Sequence, residues 1–457
     1  MKHFIKQNTN QDNDPNNFFR SVCGLAIPVT LQSLIQSSFS VVDQLMIGQM
    51  GSVSIAGVGL AGKFLSVFNV LAAAIAAVEG IMIAQYMGKK DEQGVNRSFS
   101  VSMVLSVVLT LLFSGACFLF PEQIMSLYTR DPASRLAAAG YLRITGACFF
   151  FSAGTQLLST LLRCMEEAVL PLYASFAAMV LNTILNYLLI FGKFGLPALG
   201  IIGAALATVV AQMINFLVLL LLFWKQSRKT GTVICFDLHL GKKGWHNYAL
   251  ILIPMLITEF FWVLGENVYG IIYGHMGTAD CAAMTLTNPL QGILIGMLSG
   301  VSQAAGILIG KRLGSGEYQQ AYKEAKKLML YGLCGSVLLS IVLFIFRQTY
   351  VDLYRVEAEV KQTTIQVLAV YAVICNVKVQ NMILGGGIIR SGGKTKYVMA
   401  IDLIGTWMFG VPLGLLSAFV WNLSLPWVYL MLSLEECVRL AISLVVFRRK
   451  KWMKSLS

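Results

Sequence analysis

The stretch "IPVTLQSLIQSSFSVVDQLMIGQMGS" occupies Ile27–Ser52, and "IPMLITEFFWVLGENVYGIIYGHMGT" occupies Ile253–Thr278. Both open on Ile-Pro and both end on Met-Gly and a small hydroxyl residue. Pro28 and Pro254, Gly48 and Gly274, and Gly51 and Gly277 are all separated by the same 226 positions (254 minus 28). The register persists at Gly80 with Gly306 and at Gly88 with Gly314, and Leu162-Arg163 recurs as Ile389-Arg390 with one extra residue. The chain is therefore a duplicated unit, and the nature of that unit decides the fold.

Of 457 residues, 56% are hydrophobic and only 12% charged. Water-soluble domains carry about 25% charged residues. Apolar runs of membrane-crossing length recur, each able to traverse a hydrocarbon core of about 30 Å. The predicted spans are 21–47, 57–84, 98–120, 137–161, 171–191, 201–223, 249–273, 281–309, 328–347, 362–388, 397–418 and 427–447. This predicts an all-α polytopic membrane protein with twelve transmembrane helices in two six-helix repeats. Six is even, so both copies start on the same membrane face. Parallel repeats of this kind are a mark of secondary transporters, with sites near the repeat interface or within a half.

The predicted organisation is a polar tail over 1–20, a first lobe over 21–223, a linker over 224–248, a second lobe over 249–447 and a basic tail over 448–457. Residues 1–20 lack the short apolar core and cleavage site of a signal peptide, and their Asn-rich composition predicts a disordered lead-in. With the N-terminus in the cytoplasm, twenty-five Lys and Arg fall on that side. Six (Arg130, Arg135, Lys193, Arg347, Arg355, Lys361) fall on the other. The positive-inside rule then places both termini in the cytoplasm. The net charge of +13 thus faces anionic lipid headgroups rather than nucleic acid. Nine Cys without a CxxC pair read as small core residues. The scattered His3, His239, His246 and His275 give no zinc spacing.

"GGGIIRSGGKTK", Gly385–Lys396, is one residue out of register with a Walker A loop. Such a loop must also join a strand to a helix in an α/β domain. The duplication aligns it instead with "LSTLLRCMEEA", Leu158–Ala168. It reads as a turn whose glycines, Gly392 and Gly393 among them, permit close packing.

The chain resembles the multidrug and toxic compound extrusion (MATE) family. The resemblance is carried by "IPVTLQSLIQSSFSVVDQLMIGQMGSVSIAGVGLA" (Ile27–Ala61), "AQYMGKKD" (Ala84–Asp91), "LNTILNYLLIFG" (Leu181–Gly192) and "IIRSGGKTKYVM" (Ile388–Met399). It implies two lobes around a central cavity that opens alternately to each side. It also implies outward movement of organic cations or drugs in exchange for H⁺ or Na⁺, with Asp43 as the cation-coupling residue. Related flippases of the superfamily move lipid-linked sugars. The chain departs from the family pattern at Arg163–Glu167, where Arg-Gly-x-Gly is usual, and at Glu79, where small residues are common.

Intramembrane charges are expensive and point to function. Asp43 shares a helical face with Gln32, Gln36 and Ser40, which predicts a polar cavity lining. A helix-packing hydrogen bond is the other reading. Asp43 is a metal ligand only if the coupling ion is Na⁺. In span seven, Glu259, Trp262, Glu266, Tyr269 and Tyr273 form a second face. Its acids suit an organic cation, and each ring adds about 0.5–2 kcal/mol by cation–π attraction. A packing stripe, with Tyr273 at the interface, fits the same spacing. Glu266 and Glu259 are therefore further coupling candidates, with Trp262 and Tyr269 as cavity residues. Lys378 lies too deep in span ten to reach the headgroups easily, so a partner among Glu259, Glu266 and Asp402 is expected. A cavity-facing Lys378 also keeps an anionic substrate in play. Lys63 is a further charge near an apolar run. Asn182 and Asn186, four apart, either line the cavity or bond between helices. Pro28 and Pro254 either start their helices or mark hinges, and Pro289 and Pro412 lie at kink positions. The basic amphipathic stretch Lys311–Lys327 reads as a loop on the inner surface.

The sequence thus predicts a non-enzymatic transporter in a bacterial plasma membrane. It has no cofactor beyond H⁺ or Na⁺, it partners small drugs and lipid, and it is a monomer. A lipid-linked oligosaccharide flippase or an intramembrane enzyme are the alternatives. The first wants a strongly cationic cavity, and the second wants clustered His, Asp or Ser.

Overall fold

A computed structural model describes residues 15–50, 52–195, 197–230, 235–239, 241–354 and 356–455. The described residues are helices and short connections. The first half comprises α1 (Pro15–Gly48), α2 (Ser52–Lys89), α3 (Glu92–Leu119), the short α4 (Pro121–Ser126), α5 (Pro132–Thr145), α6 (Cys148–Cys164), α7 (Val169–Phe191) and α8 (Ile201–Thr230). The second comprises α9 (Gly241–Met276), α10 (Thr278–Gly314), α11 (Tyr318–Asp352), α12 (Ala358–Asn381, continued by Met382–Ile389), α13 (Thr395–Leu403, continued to Val420) and α14 (Leu425–Arg448).

Ten of these helices are long and apolar enough to cross a membrane. The pair α5 and α6 makes an eleventh span, bent by 51°. The twelfth, α14, is 24 residues long, but Glu435, Glu436 and Arg439 interrupt its apolar run. The twelve-helix expectation holds. The helices outrun the predicted spans because they continue into the connections. Helix takes up both ends of the predicted linker, since α8 ends at Thr230 and α9 begins at Gly241. Helix also begins at Pro15, inside the predicted tail, and residues 1–14 lie outside the described residues.

Two compact bodies result. One holds Met1–Ile83 with Asp91–Leu240, and the other holds Ala84–Lys90 with Gly241–Ser457. The pairing pattern repeats within them. In the first, α1 packs on α7, α3 on α6, and α8 on both α6 and α7; in the second, α9 packs on α13, α11 on α12, and α14 on both α12 and α13. Both bodies expose many large apolar side chains, and besides their apolar cores they bury small polar ones. On α3, Ser98, Ser102, Ser106 and Thr110 are buried at four-residue spacing, while Leu111 and Leu112 are exposed. Such inward stripes let helices approach closely in lipid, where hydrophobicity drives no association between helices.

Three local expectations change. The Lys311–Lys327 stretch is not a surface loop. It is the end of α10 and the start of α11, joined by a turn at Gly316 (φ +82°) and tied by Arg312 to Glu317 (2.7 Å) and Glu324 (3.1 Å). Pro28 and Pro254 do not start helices. They lie inside α1 and α9, where each removes one backbone hydrogen bond. Gly385–Gly387 is not part of the expected turn. It is a π-helical continuation of α12, in which Ser302 Oγ donates to the Met382 carbonyl at 2.6 Å. A neighbouring hydroxyl satisfying a freed carbonyl is a common support for a widened helix in a membrane. Around Pro412 the backbone widens on both sides, over Ile404–Gly410 and Leu416–Val420. Pro289 sits within α10. The turn that follows α12 has Gly393 at φ +69°, and a Cβ on Gly392 would meet the Trp452 carbonyl at 1.9 Å. The basic tail is thus docked, with Trp452 fully buried and stacked on Phe447.

Candidate functional site

In the first body Asp43 meets α7. Asn186 Nδ2 donates to the Asp43 carboxylate and also to Asn182 Oδ1 at 2.8 Å. Asp43 is half-buried, and both asparagines are 1% exposed. The Asn186 amide oxygen and the Asn182 amide nitrogen have no hydrogen-bond partner among the described residues. Asn186 therefore bonds between helices and holds the carboxylate, while Asn182 braces Asn186 from the same helix, and neither lines open space. Deeper along α1, Gln32 is 3% exposed. It donates to Ser175 Oγ at 2.9 Å and accepts from Arg163 at 2.7 Å. Gln36 is exposed. Ser40 is placed on α1 by its backbone, and its side chain lies outside the described residues.

The second body contains a cavity of about 340 Å³ within the membrane-crossing bundle. Five carboxyl groups line it, Glu259, Glu266, Asp402, Glu435 and Glu436, against three cations, Lys378, Arg390 and Arg439. Arg439 lies at the centre of the paired groups. Its guanidinium is 3.7 Å from Glu435, 3.8 Å from Glu436 and 3.9 Å from Asp402, and it donates to Thr406 Oγ1. Tyr269 Oη donates to Glu435 at 2.5 Å, and Asn381 Nδ2 donates to Glu436 at 2.8 Å. Arg390 lies 3.5 Å from Glu259. A buried guanidinium ringed by acids and donors is stable only while every partner stays in place.

Several predicted residues fall in this cavity and others do not. Glu259, Trp262, Glu266 and Lys378 line it. Tyr269 does not, because its hydroxyl turns to Glu435 and it is buried. Tyr273 is buried too, not interfacial. The expected pairing of Lys378 is absent. Arg390 takes Glu259 and Arg439 faces Asp402, and no carboxylate lies within 4.0 Å of Lys378 among the described residues. Lys63 is exposed. Glu79 is fully buried outside the cavity, and neither carboxyl oxygen has a partner among the described residues. Sequence reasoning missed Glu435, Glu436 and Arg439. Their signal was present: three charges inside an apolar run, spaced to pair along one helix.

The two sites are related by the duplication. Gln32, Gln36, Ser40 and Asp43 correspond by the 226-residue offset to Thr258, Trp262, Glu266 and Tyr269. Three of those four line the cavity of the second body.

A family model, MatE, matches residues 28–188 and 254–416. The two matched segments begin at the repeat-related Pro28 and Pro254, so the model matches the chain once per half. The chain belongs to the MatE family. Among similar proteins, the "Uncharacterized transporter YisQ" of Bacillus subtilis (strain 168) is 21% identical over 435 residues, 95% of either chain. The "Probable multidrug resistance protein NorM" of Agrobacterium fabrum is 25% identical, covering 89% of this chain and 87% of its own. The solved structure described as "Crystal structure of MATE in complex with MaL6" superposes with a TM-score of 0.87 at 16% identity, covering 94% of this chain and 96% of that one. This MatE protein is thus a multi-pass membrane transporter by family and fold.

Proposed function

We propose that this chain is a secondary active exporter that exchanges organic cations or drugs for H⁺ or Na⁺. The observation that carries this reading is the acid-rich cavity of the second body. Five carboxyl groups against three cations favour a positively charged guest. Trp262, 46% exposed, offers it a ring face worth about 0.5–2 kcal/mol. The relatives named for multidrug resistance support the same substrate class.

Asp43 is the first candidate for the coupling ion. Its carboxylate is held by Asn186, and the amide oxygen of that residue, which has no hydrogen-bond partner among the described residues, supplies a second oxygen close by. A proton would neutralise the carboxylate, whereas Na⁺ would use both oxygens. Glu266 is the second candidate. Glu259 is the third, being already engaged by Arg390. In the cycle, the outward-open state loads the ion, neutralisation weakens the hold on substrate, and the substrate leaves. The ion-loaded form turns inward, discharges and reloads. Each tenfold of ion gradient supplies about 1.4 kcal/mol per ion exchanged, enough for about tenfold accumulation of a monovalent cation without ATP. Pro28, Pro254 and the turn at Gly392-Gly393 are the proposed hinge and turn positions. The protein works as a monomer in a bacterial plasma membrane, in contact with lipid and with both termini in the cytoplasm.

The test is drug-sensitive bacteria producing the chain or its Asp43→Asn variant at equal levels. The reading predicts faster efflux of a fluorescent organic cation with the native chain and none with the variant. Equal efflux from cells with and without the native chain would refute it.

A further inference from the structure

Lys378 is out of place in a cavity for simple cations. It sits in the last turn of Ala358–Asn381, just before α12 continues over Met382–Ile389, and its side chain lines the cavity. The other two cations are matched. Arg390 has Glu259 at 3.5 Å, and Arg439 has three carboxylates within 3.9 Å. Among the described residues Lys378 has no such partner within 4.0 Å. The groups that act on it electrostatically are Tyr429, Glu436, Glu266 and Glu435. Three of these are already engaged: Tyr429 with Gln291 at 3.2 Å, Glu436 with Asn381, and Glu435 with Tyr269. Of the four, Glu266 has no hydrogen bond or ion pair among the described residues, and it is exposed toward the cavity. The cavity therefore presents one unmatched ammonium on α12 and one unmatched carboxylate on α9. Trp262 stands one helical turn from Glu266 on the same face of α9.

We propose that the cavity selects zwitterions, with a substrate carboxylate against Lys378, a substrate cation against Glu266, and an aromatic body on Trp262. A plain cation satisfies Glu266 and is repelled by Lys378. A plain anion meets the reverse. A ligand carrying both charges satisfies both groups and leaves neither desolvated without a partner. The inference rests on the export reading, because it names the substrate class of that same cavity.

A rhodamine dye that exists as a zwitterionic free acid and as its cationic methyl ester separates the possibilities. The two differ in one charge and hardly at all in shape. Purified protein in liposomes is given each dye under an imposed ion gradient, and the affinity for each is read by fluorescence anisotropy. The native chain is expected to move both and to bind the free acid more tightly. Lys378→Gln should weaken the free acid by about tenfold or more and strengthen the ester. Lys378→Arg keeps the charge and should keep the preference for the acid. Glu266→Gln should weaken both dyes, since both carry the cation. If the ester moves and the acid does not, or if Lys378→Gln leaves the acid-to-ester ratio unchanged, the zwitterion inference is overturned and the export reading stands. If neither dye moves or binds, the export reading falls and takes this one with it.

Discussion

Gly88 on α2 and Gly314 on α10 are repeat images of each other, and they meet the same helix crossing from opposite sides. A Cβ on Gly88 would lie 2.0 Å from the Lys311 carbonyl, and one on Gly314 would lie 2.0 Å from the Gln85 carbonyl. Gln85 and Lys311 are themselves 226 positions apart, so each contact is the image of the other. The crossing lies within the second body, which includes Ala84–Lys90. There Gln85 also donates to the Ser391 carbonyl, at 2.5 Å.

Neither glycine tolerates a methyl group without backbone movement. Gly88→Ala and Gly314→Ala should each lower stability by about 1–3 kcal/mol. The double variant should cost less than the sum, because helices moved apart for one methyl already admit the other. Thermal unfolding in detergent measures all three. Full additivity would mean that the two sites do not share one crossing.

Arg439 balances three acids in a buried setting, with its side chain 10% exposed. Removing it leaves those carboxylates facing one another. Arg439→Met should destabilise by about 3–5 kcal/mol. Adding Glu435→Gln and Glu436→Gln should recover much of the loss. A single variant as stable as the native chain would show that the guanidinium does not hold the cluster.

Glu79 is the converse case. Its carboxyl is wholly buried and has no partner among the described residues. An unpaired buried polar group costs about 1–3 kcal/mol. Glu79→Met keeps the length of the side chain and removes the polar atoms, so unfolding should stay at the same temperature or move higher. A marked drop in unfolding temperature would reveal a partner for the carboxyl.

Asp237 ties residues 235–239, between α8 and α9, to α3. It accepts from the His239 backbone N–H and from Arg97, both at 2.9 Å. These donors, the His239 N–H first, pull its pKa from 3.8 down to about 2. A depressed carboxylate stabilises the fold fully above its ordinary value and stops doing so as pH falls through the lowered one. The segment should therefore resist proteolysis from neutral pH down to 3.8 and become sensitive near pH 2. Asp237→Asn should be sensitive at neutral pH already. Equal resistance of the variant would remove the carboxylate from this role.

The architecture was legible because two signals agreed. Apolar runs set the number of spans, and the 226-residue offset set the duplication. Residues acting along one helix were also legible, such as the α9 face that places Glu259, Trp262 and Glu266 in one cavity. What depends on a partner helix was not. Asn186 reaching Asp43, Arg390 taking Glu259 and Tyr269 turning to Glu435 are settled by how helices pack. The widened turns of α12 and α13 are equally tertiary, since they rest on Ser302 and on the backbone near Pro412. Glu435, Glu436 and Arg439 were overlooked for a different reason. Averaged over a span, three charges disappear into the surrounding apolar residues.

The most direct measurement uses liposomes with equal concentrations of a fluorescent organic cation on both sides of the membrane. A pH gradient or a Na⁺ gradient is then imposed, first in one direction and then in the other. An exchanger must move dye against the ion flow, building a dye gradient from none. That movement should reverse with the imposed gradient and vanish with Asp43→Asn. Dye that stays level on both sides under every gradient would contradict coupled export by this chain.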